Sequence, residues 1–378
     1  MTERFTYSSS EEAFAKLDSL GGYVNPASVA PLKGAAAHEV AVGPVHAGVI
    51  EPGHFRFQCM GEDVYNLQIF LGYQRRGVEE SIIAADGCLP RQIALAETCA
   101  GDTSAAAATA FAELMERAFP GRFKAPDEET RRVRSLLLEL ERVANHVGDL
   151  GALAGDVAFL QTAAFCGRIR GEYLNMTALL CGNRFGRNAI VPGGVRIKPT
   201  AAVYGEIKTW IARVKPELDR ALKLMFHDHS VCDRFDGTGR VPRDVAEAIG
   251  LVGVARRASV DFNGDVMARA LVRRIEINEA HAKIAALLDG ATPPPSAQIG
   301  DDTTPGEVSL VTATVDAWRG PLVHAAAFAP DAKMLRYRIV DPSAKNWPAL
   351  AWALRGEQIS NFPICNKSFN LSYCGTDR

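Results

Sequence analysis

Two short segments carry residues in the arrangement of half a metal site each. The first runs from Cys99 to Asp102, at the start of an alanine-rich helical run, and reads Cys-x-x-Asp. The second lies at the C-terminus, where Ser372 and Gly375 stand at the same spacing and Cys374 is one position out of register. Two Cys-x-x-Cys pairs would supply thiolates to a soft transition metal. Taken alone, Cys99 with Asp102 is more typical of a packed thiol beside a first-turn acid.

A loop in the first part of the chain brings together groups that could move protons. His46, Glu51 and His54 fall within nine residues that also contain glycine and proline. A partly buried glutamate can be tuned toward neutral pH for proton transfer. The alternative is a turn whose polar side chains are simply exposed.

Two further segments place charged groups where they could act. Arg75 and Arg76 are adjacent in a strand-to-helix passage, and their donors could face an anion or a cluster. Ordinary surface charge is the alternative. Glu139, Arg142 and His146 share one face of an otherwise apolar helix. A salt bridge between helices, with a satisfied histidine, is the favoured interpretation of that face.

Bulk composition excludes several classes of function. The chain has 378 residues, 47% of them hydrophobic, and a net charge of -2, so nothing indicates a nucleic-acid partner or a lipid surface. No apolar run reaches the ~18 residues that a membrane-spanning helix needs. We expect a cytoplasmic protein, because no leader is evident and eight cysteines are scattered singly. No glycine-rich loop has the framing of a nucleotide site.

The pattern along the chain predicts an α+β fold. Residues 1–40 read as an N-terminal lead-in, and alternation over 41–76 predicts antiparallel strands. Helical periodicity over 77–290 predicts a bundle of long helices, one starting at Asp127 and one kinked or broken at Pro216. A proline-rich linker follows, and residues 305–378 read as a second β and irregular region. We expect β segments from both ends of the chain to flank the helical bundle.

Taken in order, these segments resemble one family. The chain is similar to the large subunit of group 4, membrane-bound nickel–iron hydrogenases and to the related quinone-site D subunit of respiratory complex I. The resemblance covers roughly residues 40–378 and rests on these sequences: Gly43-Pro44-Val45-His46, Glu51-Pro52-Gly53-His54-Phe55-Arg56, Gly72-Tyr73-Gln74-Arg75-Arg76-Gly77-Val78-Glu79, Glu97-Thr98-Cys99, Glu139-Leu140-Glu141-Arg142-Val143-Ala144-Asn145-His146, Val191-Pro192-Gly193-Gly194-Val195-Arg196, Trp318-Arg319-Gly320, Asp341-Pro342-Ser343, Asn346-Trp347-Pro348 and Asn366-Lys367-Ser368-Phe369-Asn370-Leu371-Ser372-Tyr373.

The resemblance assigns the metal positions. The four nickel ligands of the hydrogenases would fall on Cys99, Asp102, Ser372 and Gly375, of which only Cys99 is a thiol. Even with Cys374 as a substitute, two thiolates would remain, so a nickel–iron centre is not expected to assemble.

Other roles follow from the same resemblance. Glu51 matches a proton-transferring acid, with His46 beside it in the loop. Arg76, with Arg75, matches the arginine beside the partner's iron–sulfur cluster. The quinone-binding histidine of complex I falls on Ile50, and no tyrosine stands next to Cys99. The residues of the quinone site are therefore not preserved one by one.

We therefore expect the large subunit of a hydrogenase-related, complex I-like redox complex that has lost its nickel–iron site. Its expected partners are an iron–sulfur small subunit, a complex I C-like subunit and antiporter-like membrane subunits, which would hold it on the inner face of the cell membrane. The chain itself is expected to hold no cofactor, and a quinone is the first acceptor to consider. The alternatives are a rearranged quinone pocket, a non-catalytic scaffold, or, as the least expected, a working nickel–iron hydrogenase.

Overall fold

Strands from both ends of the chain flank a bundle of long helices. The computed structural model describes residues 1–27, 29–45, 51–301 and 307–377. The strands in these ranges are β1 (Thr2–Tyr7), β2 (Ala37–Val42), β3 (His54–Met60), β4 (Asp63–Phe70), β5 (Ile190–Val191), β6 (Gly194–Val195), β7 (Val308–Ala317), β8 (Gly320–Phe328) and β9 (Met334–Val340). They form a four-stranded sheet in the order β1-β7-β8-β9, a three-stranded sheet β2-β3-β4 and the hairpin β5-β6, all antiparallel. The predicted α+β class is confirmed.

The helices of the same ranges fill the middle of the chain and its end. They are α1 (Ser10–Asp18), α2 (Val78–Ala84), α3 (Leu89–Glu97), α4 (Ser104–Ala118), α5 (Glu128–Asp156), α6 (Leu160–Cys181), α7 (Ala201–His227), α8 (His229–Phe235), α9 (Arg243–Ile249), α10 (Gly253–Asp261), α11 (Val266–Leu288), α12 (Ser343–Ala353), α13 (Phe362–Phe369) and α14 (Tyr373–Thr376). None of the helices in the described ranges is both long enough and apolar enough to cross a membrane.

Helix α5 is the axis of the bundle. It begins where the sequence predicted, because the Asp127 carboxylate accepts the Thr130 amide and caps the first turn. Its apolar positions recur at helical spacing and are buried against α6 on one side and α11 on the other. These contacts make α5 a rigid support for any polar side chain that it carries.

The strands predicted near the N-terminus are also confirmed. In β3, Phe55 and Phe57 alternate with polar residues and are fully buried. Both rings pack against Phe362 of α13, with centroids 4.8 and 5.0 Å from its own. The three-stranded sheet is thereby fixed to the C-terminal segment.

Four expectations for the chain ends and for α7 need correction. The predicted lead-in is part of the fold, because β1 pairs along its whole length with β7 and α1 packs on the same sheet through Ala13 and Leu17. The boundary expected at residue 40 falls inside β2. Helix α7 is not broken at Pro216, and its apolar side packs on α6. The C-terminal region is largely helical after β9 rather than irregular.

A buried carboxyl group supports the start of α4. Both oxygens of Glu141 on α5 face this helix end, accepting the Ala105 amide at 2.7 Å and the Ala106 amide at 3.3 Å. Burial raises the pKa of Glu141 to about 8, and the two amide donors lower it only in part. The folded chain therefore holds this carboxyl protonated at neutral pH.

This raised pKa predicts a pH dependence of stability. The unfolded carboxyl ionises near 4.5 and the folded one near 8, so the unfolded state binds fewer protons between these values and stability falls as pH rises through that window. Glu141→Gln should flatten this dependence, as measured by urea unfolding at several pH values. Glu128→Gln, at an exposed position in the first turn of α5, should leave it unchanged. An unaltered slope in E141Q would show that the folded carboxyl is ionised.

Candidate functional site

The two half-motifs meet in space. The loop between α3 and α4 lies against the C-terminal turn, where the Gly101 amide donates a hydrogen bond to the Cys374 sulfur. The Cys374 amide in turn lies 3.4 Å from the Glu51 Oε2 atom. Cys99, Asp102, the C-terminal turn and Glu51 therefore surround one region, as the resemblance implied.

An ion pair fills the centre of this region. Arg319, in the turn between β7 and β8, donates from both terminal nitrogens to the Asp102 carboxylate, at 2.8 and 2.7 Å. Its Nε atom donates to the Asn370 carbonyl at 2.7 Å. The guanidinium stacks 3.9 Å from the centre of the Trp318 ring, and the Trp318 indole nitrogen donates to the Asp102 carbonyl. The pair is held from three parts of the chain.

Asp102 and Arg319 each favour the ionised form of the other. Burial would raise the pKa of Asp102, but the Arg319 guanidinium outweighs it and holds that pKa below its usual value. The pKa of Arg319 is raised, because Asp102 more than offsets the cost of burying the cation. The Arg319 side chain is 8% exposed and that of Asp102 is 33% exposed. Asp102 is thus an ionised partner of Arg319.

Ser372 and Gly375, the two C-terminal positions, are hydrogen-bonded to each other. The Ser372 hydroxyl accepts the Gly375 amide at 2.9 Å and caps α14. A Cβ atom added at Gly375 would lie 2.6 Å from an oxygen of Asp341 and 2.8 Å from the Ser372 hydroxyl. A cysteine at residue 375 would therefore require Asp341 or the turn to move.

Both thiols near the site are held protonated. Burial raises the pKa of Cys99, and the nearby Asp341 carboxylate adds to the effect. Burial and then Glu51 raise the pKa of Cys374. Both sulfurs are therefore thiols rather than thiolates at neutral pH.

The four positions that the resemblance matches to metal ligands therefore do not fit a nickel–iron centre. They hold a protonated thiol, a carboxylate committed to an ion pair, a helix-capping hydroxyl and a glycine without room for a side chain. Within the described ranges, no three histidine, cysteine or acidic side chains converge on a common metal position.

Glu51 lies at the accessible edge of the site. Partial burial raises the pKa of this carboxyl, and the Cys374 amide opposes the rise. A proton acceptor and donor at this edge agrees with the predicted role, which stays a prediction. His46 and Ile50, predicted for the same loop, lie outside the described residues.

The two arginines of the strand-to-helix passage separate. Arg76 turns toward the site and donates to the carbonyls of Thr98 and Cys99, at 2.8 Å each, so it clamps the loop that carries Cys99. Arg75 faces solvent, 65% exposed, and pairs with Glu80. Their placement beside a partner's cluster stays a prediction.

Sequence reasoning gave no role to the residues that organise this site. Arg319 and Trp318 appeared only as part of a matching segment, and Asp341 only as part of another. The sequence did contain one local signal, because Arg319 stands between a tryptophan and a glycine at a turn. Its partner Asp102 lies far away along the chain, so spacing could not identify the pair.

Removing the carboxylate should expose the importance of this pair. Asp102→Ala leaves Arg319 buried without a counter-charge and should lower the free energy of unfolding by about 1–3 kcal/mol, less than for a fully buried pair because Asp102 is partly solvated. Denaturant unfolding measures the change. As the control, Asp18→Ala removes an exposed pair with Arg336 and should cost at most about 1 kcal/mol. Equal losses of unfolding free energy in the two variants would show that the Asp102–Arg319 pair stabilises the fold no more than an exposed pair does.

Known proteins resemble this chain along most of its length. The family described as "Respiratory-chain NADH dehydrogenase, 49 Kd subunit" matches residues 156–262. Hydrogenase-4 component G of Escherichia coli (strain K12) is 27% identical over 351 residues, which cover 90% of this chain and 62% of that protein. Formate hydrogenlyase subunit 5 of the same organism is 27% identical over 364 residues, covering 90% and 63%. This chain thus spans less than two thirds of the length of these two relatives.

A solved structure shows the same fold. A chain of the membrane-bound sulfane sulfur reductase, described as an archaeal respiratory membrane complex, matches with a TM-score of 0.79 and 21% identity, covering 91% of this chain and 99% of that chain. The aligned sequence segments, the shared fold and the proximity of the two half-motifs all indicate similarity to the same group of proteins. This chain is thus similar in sequence to components of Escherichia coli hydrogenase complexes and, over residues 156–262, to the 49 Kd subunit family of the respiratory-chain NADH dehydrogenase.

Proposed function

We propose that this chain is the large subunit of a hydrogenase-related, complex I-like redox complex, in which it guides electrons and protons to an acceptor without a nickel–iron centre. The observation that carries the proposal is the Asp102–Arg319 ion pair, which stands at an inherited ligand position and leaves no set of thiolates. The family fold is kept around this change.

Assembly with partner subunits is supported by the relatives and by the surface. Hydrogenase-4 and formate hydrogenlyase are named as multi-component enzymes. Next to the clamp formed by Arg76, Tyr73 and Arg75 are at least half exposed. An iron–sulfur small subunit seated here, with a C-like subunit and antiporter-like membrane subunits beyond it, would place this chain at the inner face of the membrane.

A quinone is the proposed acceptor. The site offers an accessible acid, Glu51, beside a charge-neutral centre, and two-electron reduction of a quinone consumes two protons. A sulfane sulfur compound is the second candidate, favoured by the two thiols of Cys99 and Cys374 at the site and by the similarity to the sulfane sulfur reductase.

The experiment is to purify the intact complex through a tag on this chain. Nickel content, hydrogen evolution, and the reduction of a quinone analogue and of polysulfide are then measured with the same preparation. We expect partner subunits carrying iron–sulfur clusters, nickel far below one atom per chain, no hydrogen evolution, and reduction of the quinone. Stoichiometric nickel with hydrogen evolution would overturn the proposal. Copurified partners without turnover of either acceptor would instead identify a scaffold.

Substitution of the acid tests the proton step. Glu51→Gln keeps the size of the side chain and should lower acceptor turnover by about 100-fold, since general acid–base groups contribute on this order. Reduction of the partner's cluster should be unaffected. Glu62→Gln, an exposed position in the turn between β3 and β4, is the matched control and should retain full turnover. Full turnover in E51Q would remove Glu51 from the mechanism.

A further inference from the structure

One buried histidine of the bundle is paired on only one side of its ring. His146 of α5 is fully buried, and its Nε2 atom lies 2.7 Å from the Glu276 carboxylate of α11. Because a carboxylate only accepts, Nε2 carries the proton and Nδ1 keeps a lone pair. Nδ1 has no hydrogen-bond partner in the described part of the chain. An unpaired polar atom at such depth calls for an explanation.

The Glu276 side of this pair faces solvent. Glu276 borders a cavity of about 140 Å³ that is also lined by Arg142, Lys283, Asp316 and Trp318. The side chains of Asp316 and Lys283 are 77% and 56% exposed, so the cavity is continuous with the surface. Burial would raise the pKa of Glu276, but His146, Arg142 and Arg257 outweigh it and hold that pKa below its usual value. Glu276 is an ionised group that lines a cavity open to the surface.

His146 contacts a residue of the candidate site. The His146 ring meets the Trp318 ring edge to face, with centroids 5.8 Å apart, and Trp318 in turn contacts Arg319 and the Asp102 carbonyl. One turn along α5, Asp149 accepts from the Asn370 side-chain amide at 2.6 Å. The Asn370 carbonyl is the acceptor of Arg319 Nε.

The charges around the ring come from two helices. Burial lowers the pKa of His146, Glu276 opposes this effect, Arg273 of α11 adds to it, and Asp149 of α5 opposes it. Arg273 is itself neutralised by Asp149 at 2.8 Å. The neutral imidazole is thus the resting form of His146. The ionised Glu276 carboxylate accepts its Nε2 hydrogen bond.

We propose that His146 and Glu276 form a proton relay between the surface cavity and the candidate site, which rests on the proposed function. A proton arriving from the site binds Nδ1, the Nε2 proton passes to Glu276, and Glu276 releases it to water in the cavity. The reverse order delivers protons to the site. A carboxylate that is hydrogen-bonded to an imidazole stabilises the imidazolium that forms during proton transfer.

Two other buried histidines provide a comparison. His281 and His324 also have one unpartnered ring nitrogen in the described ranges, but their other nitrogen faces the hydroxyl of Tyr173 and of Tyr337. Burial lowers the pKa of His281 to about 4. A tyrosine hydroxyl supplies no negative charge at neutral pH, so His281 is a matched control that lacks the relay chemistry.

The test uses the intact complex and chemical rescue. His146→Ala should lower acceptor turnover by about tenfold or more without affecting reduction of the partner's cluster. Imidazole added to the buffer should restore turnover, whereas pyrazole, a ring of the same size and a far weaker base, should not. Glu276→Gln, which keeps the hydrogen bond to Nε2 but not the charge, should also lose turnover. It serves as the second variant if H146A does not assemble.

The control and the contrary outcomes separate the two proposals. His281→Ala should keep its turnover, and neither ring should change it. Wild-type turnover in H146A or E276Q, or equal rescue by pyrazole and imidazole, would overturn the relay while leaving the proposed function intact. A wild-type complex without turnover of any acceptor would overturn the proposed function and the relay with it.

Discussion

The ion pair between Asp102 and Arg319 is the interaction on which the arrangement of the site depends. It joins the loop before α4 to the turn between β7 and β8, and through the Asn370 carbonyl it reaches the segment after α13. These three parts are distant in sequence and contribute to different layers of the fold. A charge buried here without its partner would cost more than the contact contributes, so the pair fixes their relative position.

Ordinary protein contacts engage the positions that the resemblance matches to metal ligands. Ser372 caps a helix, and Gly375 permits the close approach of Asp341. Burial keeps the thiols of Cys99 and Cys374 protonated. Cys99 is itself part of the hydrophobic core that packs α3 and α4 against the four-stranded sheet, so this position supports the fold without a metal.

The sequence predicted what depends on local patterns. The start of α5 follows from a capping aspartate and helical periodicity, and β3 follows from alternation. The pairing of β1 with β7 and the partner of Arg319 depend on contacts across most of the chain, for which no local pattern exists. The nearness of the two half-motifs came from the resemblance and not from spacing. Only the folded structure could reveal that one ring nitrogen of His146 has a hydrogen-bond partner and the other has none among the described residues.

The charge balance of the site bears on the kind of acceptor it suits. Arg319 directs its terminal nitrogens at Asp102 and its Nε at a carbonyl, so the cation nearest the centre has its charge matched within the chain. Arg76 is likewise committed to two carbonyls. An anionic acceptor entering the site would approach the carboxyl groups of Glu51 and Asp341. A neutral acceptor avoids that repulsion and takes up protons as it is reduced, which is the behaviour of a quinone and favours it over a polysulfide anion.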